Sequence, residues 1–111
     1  MKVRFKVWLE KDELPLLSMG KYHLLKEVEK TGSIKAAAEN LGLPYKKAHL
    51  QLKLLEERLG YRILKRERGK GTVLTEEGKK LLELYGEILK KFQQLAEELE
   101  KNFLVKRKVE G

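Results

Sequence analysis

The segment from Thr31 to Thr75 constrains the fold of this chain more than any other part of its sequence. It contains, in order, a short alanine-rich helical pattern, a turn with a glycine, a second amphipathic helical pattern and a basic hairpin with two glycines. The small side chains of Ala36, Ala37 and Ala38 would let two helices cross closely. The segment therefore predicts two short helices in close contact, followed by a β-hairpin.

Helical spacing of apolar residues predicts three helices before the hairpin, over residues 20–31, 33–42 and 44–59. Gly32 and Gly42 end the first two, because glycine tolerates the left-handed conformation. Ser33 offers its hydroxyl to the free amides of the second helix. Pro44 suits the first position of the third helix, where a missing N–H costs little. The inner face of that helix is predicted to be Ala48, Leu52, Leu55 and Leu59.

The basic hairpin is predicted over residues 61–74. The pattern favours a strand from Tyr61 to Leu64, a turn from Lys65 to Gly71 and a return strand from Thr72 to Leu74. Gly69 and Gly71 permit a tight loop between the two strands. This hairpin, placed after two crossing helices and a third, is typical of the wing of a winged helix-turn-helix.

The two ends of the chain complete the predicted fold. Apolar and charged residues alternate over residues 1–10 and predict an N-terminal strand, while Lys11 to Leu17 is predicted as a turn or loop. A long helix is predicted over 76–103, with Thr75 as its cap, and a frayed tail over 104–111. We therefore expect one winged helix-turn-helix domain over 1–111. It is mainly α, with a small β-hairpin wing and an N-terminal strand (α+β), and a long C-terminal dimerisation helix.

The last helix carries apolar residues at alternating spacings of four and three, which form the seam of a coiled coil. A helix of about 42 Å is too long to be covered by so small a core, so we predict a homodimer through this seam. The alternative is packing within the monomer, against the N-terminal strand. Trp8 could be a dimer contact or could cover the sheet. The seam residues are Leu81, Tyr85, Ile88, Phe92, Leu95 and Leu99.

The net charge of +8 is concentrated in the front of the chain. Residues 1–75 contain 17 Lys and Arg against 9 Asp and Glu, whereas residues 76–111 contain 8 of each. Between Arg58 and Lys70 there are six basic residues and one acidic residue, Glu67. Such clustering is typical of a protein that binds a polyanion, although a solvated basic face is the alternative.

The third helix is predicted to enter the major groove and the wing to contact phosphates. Tyr45 could contact a phosphate or pack beneath its helix. Two other functions stay open: a winged helix used as a protein-interaction adaptor, and the less favoured binding of double-stranded RNA, whose major groove is too narrow for a helix. The candidate DNA-binding residues are Ser33, Lys35, Tyr45, Lys46, Lys47, His49, Leu50, Lys53, Lys65, Arg66, Arg68 and Lys70.

The sequence favours neither an enzyme nor a metal protein. It has no cysteine, its two histidines His23 and His49 lie in different predicted helices, and Ser33 is better explained as a helix cap than as a nucleophile. We therefore expect no catalytic residue, no metal and no cofactor. The chain also has no apolar run near the roughly 20 residues that span a bilayer, so no membrane partner and a cytoplasmic location are expected.

The segments GKYHLLKEVEKTGSIKAAAENLG, PYKKAH, LLEERLG and VLTEEGKKLLELY resemble the DNA-binding domain of the molybdate-responsive ModE regulators and, more distantly, that of LysR-type regulators. The resemblance covers roughly residues 20–85 and implies a winged-helix regulator that binds palindromic DNA as a dimer. Pro44 and His49 stand where ModE proteins often have Ser and Trp, and the wing has fewer glycines. Because the chain ends at Gly111, molybdate sensing is not implied, and any effector stays unknown.

Overall fold

Helices and two antiparallel hairpins make up the computed structural model, which describes residues 1–110, with side chains for residues 1–103. The arrangement is the predicted winged helix-turn-helix, mainly helical, with a long C-terminal helix. In chain order the elements are β1 (Leu9–Lys11), β2 (Leu14–Leu17), α1 (Met19–Thr31), α2 (Ile34–Asn40), α3 (Tyr45–Leu59), β3 (Leu64–Glu67), β4 (Gly71–Leu74) and α4 (Glu76–Glu110).

The predicted N-terminal strand is mostly wrong, because only Leu9–Lys11 forms a strand. Residues 1–8, which we call the N-terminal arm, instead run along α4. The ring of Phe5 lies 5.9 Å from that of Phe92, measured between centroids, and Lys2 Nζ lies 3.6 Å from Glu100 Oε1. Alternating apolar residues can cover a helix as well as a sheet, and here the apolar side of the arm packs on α4.

Residues predicted as a loop form the second strand of a hairpin. β1 pairs antiparallel with β2, with Glu10 opposite Pro15 and Lys11 opposite Leu14. The connecting turn consists of Asp12 and Glu13, whose φ angles are 52° and 67°. Positive φ at both central residues fits the right-handed twist of a hairpin, but such turns usually contain Asn-Gly or Asp-Gly. The sequence lacks that signal, so the hairpin was missed.

Serine hydroxyls cap the first two helices. Ser18 Oγ accepts a hydrogen bond from the Lys21 amide at 3.4 Å, and Ser33 Oγ accepts one from the Ala36 amide at 3.1 Å, as predicted for Ser33. α2 is shorter than the predicted 33–42, because Ser33 is its cap and the helix ends at Asn40. Pro44 precedes α3 with a ψ of 137°, so it lies outside the helix and not at its first position.

The core lies where α1, α2 and α3 cross, under the wing and the first turns of α4. The predicted inner face of α3 is confirmed, since Ala48, Leu52, Leu55 and Leu59 are all buried. The remaining buried apolar residues of this cluster are Leu16, Leu17, Leu24, Leu25, Val28, Ala37, Ala38, Ile63, Leu64, Leu74, Leu81, Leu82 and Tyr85.

The long helix α4 differs from its prediction in length and in the use of its apolar seam. It continues to Glu110 through most of the residues predicted as a tail, because no glycine or proline stands between Phe103 and Gly111, which lies outside the described residues. Leu81 and Tyr85, predicted at the dimer interface, are buried in the core of the same chain. Ile88 is half-buried, and Phe92, Leu95 and Leu99 are exposed. The first residues of the apolar seam therefore lie in the core, and the last ones lie at the surface.

Candidate nucleic-acid interface

The outer face of α3 presents polar and basic side chains to solvent. Because Ala48, Leu52, Leu55 and Leu59 occupy its inner face, the residues between them must point outward. Of the eight predicted contact residues outside the wing, one is the α2 cap Ser33, one is Lys35 of α2, and the other six lie on α3. The exposed candidates of α3 are Tyr45, Lys46, Lys47, His49, Leu50 and Lys53.

Tyr45 and His49 form an aromatic pair one turn apart on α3. Their ring centroids lie 5.8 Å apart, with an angle of 42° between the planes. Tyr45 is 48% exposed, so the alternative in which it packs beneath the helix is wrong. Its ring also borders a shallow depression with Ser33, Lys35 and Arg66. The first turn of α3 therefore lies beside the cap of α2 and beside the wing.

The wing differs in register from its prediction. Its first strand begins at Leu64, not Tyr61, so Lys65 and Arg66 lie within β3 opposite Val73 and Thr72. Only Arg68 and Lys70 are in the turn, around Gly69, whose φ is +81°. Residues 61–63 instead form the link from α3, and the Ile63 side chain within that link is buried in the core. All four predicted wing cations are exposed.

Two glycines hold the wing against the corner between α1 and α2. The Thr72 amide donates a hydrogen bond to the Gly32 carbonyl at 2.9 Å. A Cβ atom on Gly71 would lie 2.5 Å from that carbonyl oxygen, and a Cβ on Gly32 would lie 2.8 Å from the Lys70 carbonyl oxygen. Both glycines also have positive φ angles. The position of the wing relative to α2 therefore requires glycine at both positions.

Glu56 fixes the start of the wing relative to α3. Its Oε2 accepts hydrogen bonds from the amides of Ile63 at 2.8 Å and Leu64 at 3.2 Å, and from Arg62 Nε at 3.2 Å. The sequence does not predict this function of Glu56. The role depends on where the chain returns after Gly60, which no local pattern indicates.

The outer face of α3 and the strand β3 border one open groove of about 790 Å³. Tyr45, His49 and Lys53 line it from α3, while Lys65 and Arg66 line it from the wing. Glu56 and Glu57 also border the groove, but the charge of Glu56 is matched by Arg62 at 3.2 Å. The structure thus brings together candidates from two elements around a concave, mainly basic surface.

Several cations of the basic run between Arg58 and Lys70 lie outside the groove. Arg68 and Lys70 lie in the turn and do not line the groove. The six basic residues between Arg58 and Lys70 are not all on the wing, because Arg58 lies at the far end of α3 and donates to the Pro15 carbonyl. Arg62 lines the groove and was not predicted as a contact residue, although it belongs to the basic run that the sequence showed.

The described residues contain no helix that is long and apolar enough to cross a membrane. Within the same residues, no three His, Cys, Asp or Glu side chains are grouped so that they could hold a metal ion. His23 lies in α1, where its ring packs edge-on against Tyr22 with 5.5 Å between centroids.

Comparisons with known proteins give a consistent family. A sequence profile of bacterial regulatory helix-turn-helix proteins of the lysR family matches residues 19–79, which is more than half of the chain. No curated protein sequence gives a significant match. The profile describes regulatory proteins.

Among solved structures, the DNA-binding domain of CbnR in complex with DNA is 26% identical, with a TM-score of 0.61, over 73% of this chain and 92% of that one. CbnR itself, a LysR family transcriptional regulator, is 26% identical with a TM-score of 0.60, and only 28% of its length is covered. The DNA-binding domain of BenM on benA site 1 DNA has the same fold, with a TM-score of 0.64 at 21% identity over 77% of this chain and 98% of that one. The matched part of the chain thus covers nearly all of the isolated CbnR domain but under a third of the full CbnR chain.

Proposed function

Since this chain belongs to the lysR family of bacterial regulatory helix-turn-helix proteins, we propose that it regulates transcription by binding specific sequences in double-stranded DNA. The observation that carries this proposal is the groove in which exposed basic residues of α3 and β3 meet. A surface that is concave and mainly basic matches the shape and charge of a duplex. The similar domain of CbnR is known in complex with DNA, which supports the same activity here.

In the proposed complex, α3 lies in the major groove with its first turns against base edges. Lys46 and Lys47 would donate to guanine acceptors, and Leu50 would contact thymine methyl groups. His49 is a polar contact beside the Tyr45 ring. Lys53, with Ser33 and Lys35 at the start of α2, would contact the phosphates that flank the groove.

The wing would bind the phosphate backbone beside the same groove. Lys65 and Arg66 on β3 border the groove with α3, whereas Arg68 and Lys70 extend beyond it from the turn. This division suggests that the strand cations position α3, while the turn cations contact phosphates further along the duplex or in the minor groove.

Salt dependence tests the proposal. A protein that contacts about six to ten phosphates should lose about a thousandfold or more in affinity between about 50 and 200 mM salt. Arg66→Ala with Arg68→Ala should weaken binding on all sequences and reduce the salt slope by about two units. The control is Lys90→Ala with Lys91→Ala, which removes the same charge from exposed positions on α4.

Selection of bound duplexes from a random pool tests sequence specificity. Lys46→Ala or Lys47→Ala should change the selected bases as well as the affinity, whereas the wing variants should not. If no duplex is bound in a salt-sensitive manner, the alternative of a protein-interaction adaptor is favoured. Tight binding of duplex RNA in place of DNA would contradict the orientation proposed for α3.

We also propose that the chain acts as a homodimer through the exposed part of the α4 seam. Phe92, Leu95 and Leu99 are each close to half exposed, and with Ile88 they continue the spacing of four and three. Leu95→Glu with Leu99→Glu should produce a monomer in sedimentation experiments, without disturbing the core. The matched control, Glu97→Leu, changes charge on a different face. A dimer would bind an inverted repeat with half-sites about 34 Å apart.

The narrower resemblance to ModE regulators is part of this proposal, and the Tyr-x-x-Ala spacing from Tyr45 to Ala48 supports it. A location with chromosomal DNA in the cytoplasm follows from the same proposal. An effector, molybdate included, would be recognised by its effect on duplex affinity in the titrations above.

A further inference from the structure

An apolar groove opens between the N-terminal arm and the start of α1, away from the surfaces described so far. It has a volume of about 450 Å³, within the range of small-molecule sites. Trp8, Leu16 and Met19 contribute its apolar walls, and Trp8 is 53% exposed. Lys6 and Lys21 are the charged residues along its lining, and none of the lining residues is acidic.

Lys21 lies in this groove without a carboxylate partner among the described residues. Its Nζ donates to the Leu16 carbonyl at 3.4 Å, and none of the ion pairs of the described chain includes it. Arg58 lies nearby and donates to the carbonyl of Pro15, another lining residue. Burial, and secondarily the charge of Arg58, lowers the pKa of Lys21 below its ordinary value. An anion in the groove would relieve both effects.

The groove lies far from the first turns of α3, where the base contacts are proposed. Arg58 follows Tyr45 by 13 residues along α3, a rise of about 20 Å. Phosphates bound at the first turns of α3 therefore do not reach Lys21. The apolar walls also give a phosphate backbone little to bind.

The groove and the α4 seam are formed by different residues. The arm packs on α4 through Phe5, whose ring lies 5.9 Å from that of the seam residue Phe92, and through Lys2, which pairs with Glu100. The groove itself is lined by residues 6–8 and 15–21, none of which lies on α4. The proposed dimer interface and the groove therefore share no residue.

We propose that this groove binds a small free monocarboxylate with an aromatic or branched alkyl body, with its carboxylate on Lys21 and its body against Trp8. The volume, the apolar walls and the uncompensated cations together favour this class of ligand over a neutral molecule or a peptide. Lys6, at the rim, adds a second positive charge. The proposal is independent of DNA binding and concerns a site outside residues that contact the duplex.

Trp8 is the single tryptophan of the chain, so its fluorescence reports on the groove directly. The probe is 4-phenylbutyrate, and 4-phenylbutanol is the matched neutral compound. We expect a saturable change in Trp8 emission with a dissociation constant of about 1 mM or lower, and at least tenfold weaker binding of the alcohol. Lys21→Met should weaken the carboxylate at least tenfold, whereas Lys26→Met, on the exposed side of α1, should not.

Two measurements keep the result unambiguous. Lys21→Met should retain duplex affinity within about twofold, which would show that the variant is folded. Amide chemical shifts should change at Gly20 and Lys21 and not in the wing. Equal binding of the alcohol, the absence of saturation, or shifts mapped elsewhere would overturn the proposal. Trp8 emission that changes with protein concentration alone would place a second copy in the groove and would also overturn it.

Discussion

Replacing Gly71 with alanine should displace the wing, whereas the same replacement at Gly69 should not. Both glycines have positive φ angles, +77° and +81°, so alanine is strained to a similar degree at each. The surroundings differ, because a Cβ on Gly71 would lie 2.5 Å from the Gly32 carbonyl oxygen, while nothing lies within 4 Å of a Cβ on Gly69. The pair therefore separates backbone strain from close packing.

The expected losses of unfolding free energy follow from backbone strain and close packing. Backbone strain alone costs about 1 to 2 kcal/mol, which is the expected loss for Gly69→Ala. At Gly71 the backbones must also move apart, which costs a further 1 to 3 kcal/mol or so and weakens the 2.9 Å hydrogen bond from Thr72 to Gly32. We therefore expect Gly71→Ala to destabilise the fold by about 2 to 5 kcal/mol.

Urea unfolding followed by circular dichroism would measure both variants, with equal m-values as the condition for comparing them. Under the proposed function, folded Gly71→Ala should also bind DNA more weakly, because Lys65 and Arg66 move relative to α3. Equal losses of stability for the two variants would refute the argument, since backbone strain would then account for the whole effect. A stable Gly71→Ala variant with unchanged DNA affinity would refute the role assigned to the contact.

Three further predictions concern single side chains. Glu13→Gly should stabilise the fold by about 0.5 to 1 kcal/mol in urea unfolding, because Glu13 has a φ of 67°; a loss of stability would contradict this. Glu56→Gln should cost about 1.5 to 3 kcal/mol by the same assay, against less than about 0.5 kcal/mol for the exposed Glu57→Gln, because Glu56 accepts hydrogen bonds from the amides of Ile63 and Leu64. Burial, and secondarily the charge of the nearby Tyr22 phenolate, raises the pKa of Tyr85. The neutral Tyr85 phenol therefore stabilises the fold. This stabilisation is fully present below the unfolded pKa of about 10 and is lost as pH rises through the folded pKa. Tyr85→Phe should therefore lose less stability than the wild type between about pH 9 and 11, and parallel curves would count against that assignment.

Local patterns predicted the helical part of the fold well. The inner face of α3, the Ser33 cap and the end of α1 at Gly32 depend on residues within one or two helical turns, and all are present in the structure. The wing was predicted, but its register was not. Ile63 and Leu64 are both apolar and both buried, so their side chains do not mark the first residue of β3, which begins with the pairing of Leu64 and Leu74.

The candidate interface was likewise predicted in composition but not in arrangement. Exposed cations on α3 follow directly from helical periodicity. That Tyr45 and Lys53 share a groove with Lys65 and Arg66 depends on the path of the chain between α3 and β3. Glu56 controls that path through bonds to residues seven and eight positions away, a separation that belongs to no helical or strand pattern.

By itself the sequence determined the order of elements, the caps and the placement of the basic residues, because these depend on propensities and on spacing within a helix or hairpin. The tertiary structure decided how the apolar seam of α4 is used. Leu81 and Tyr85 are buried because the core lies beside the first turns of α4, while Leu95 and Leu99 extend beyond it. The same spacing of apolar residues therefore places some side chains in the core and leaves others exposed, and only the extent of the core decides which residues are buried. The Thr31 to Thr75 segment follows this rule too, since its elements were predictable and their contact through Gly32 and Gly71 was not.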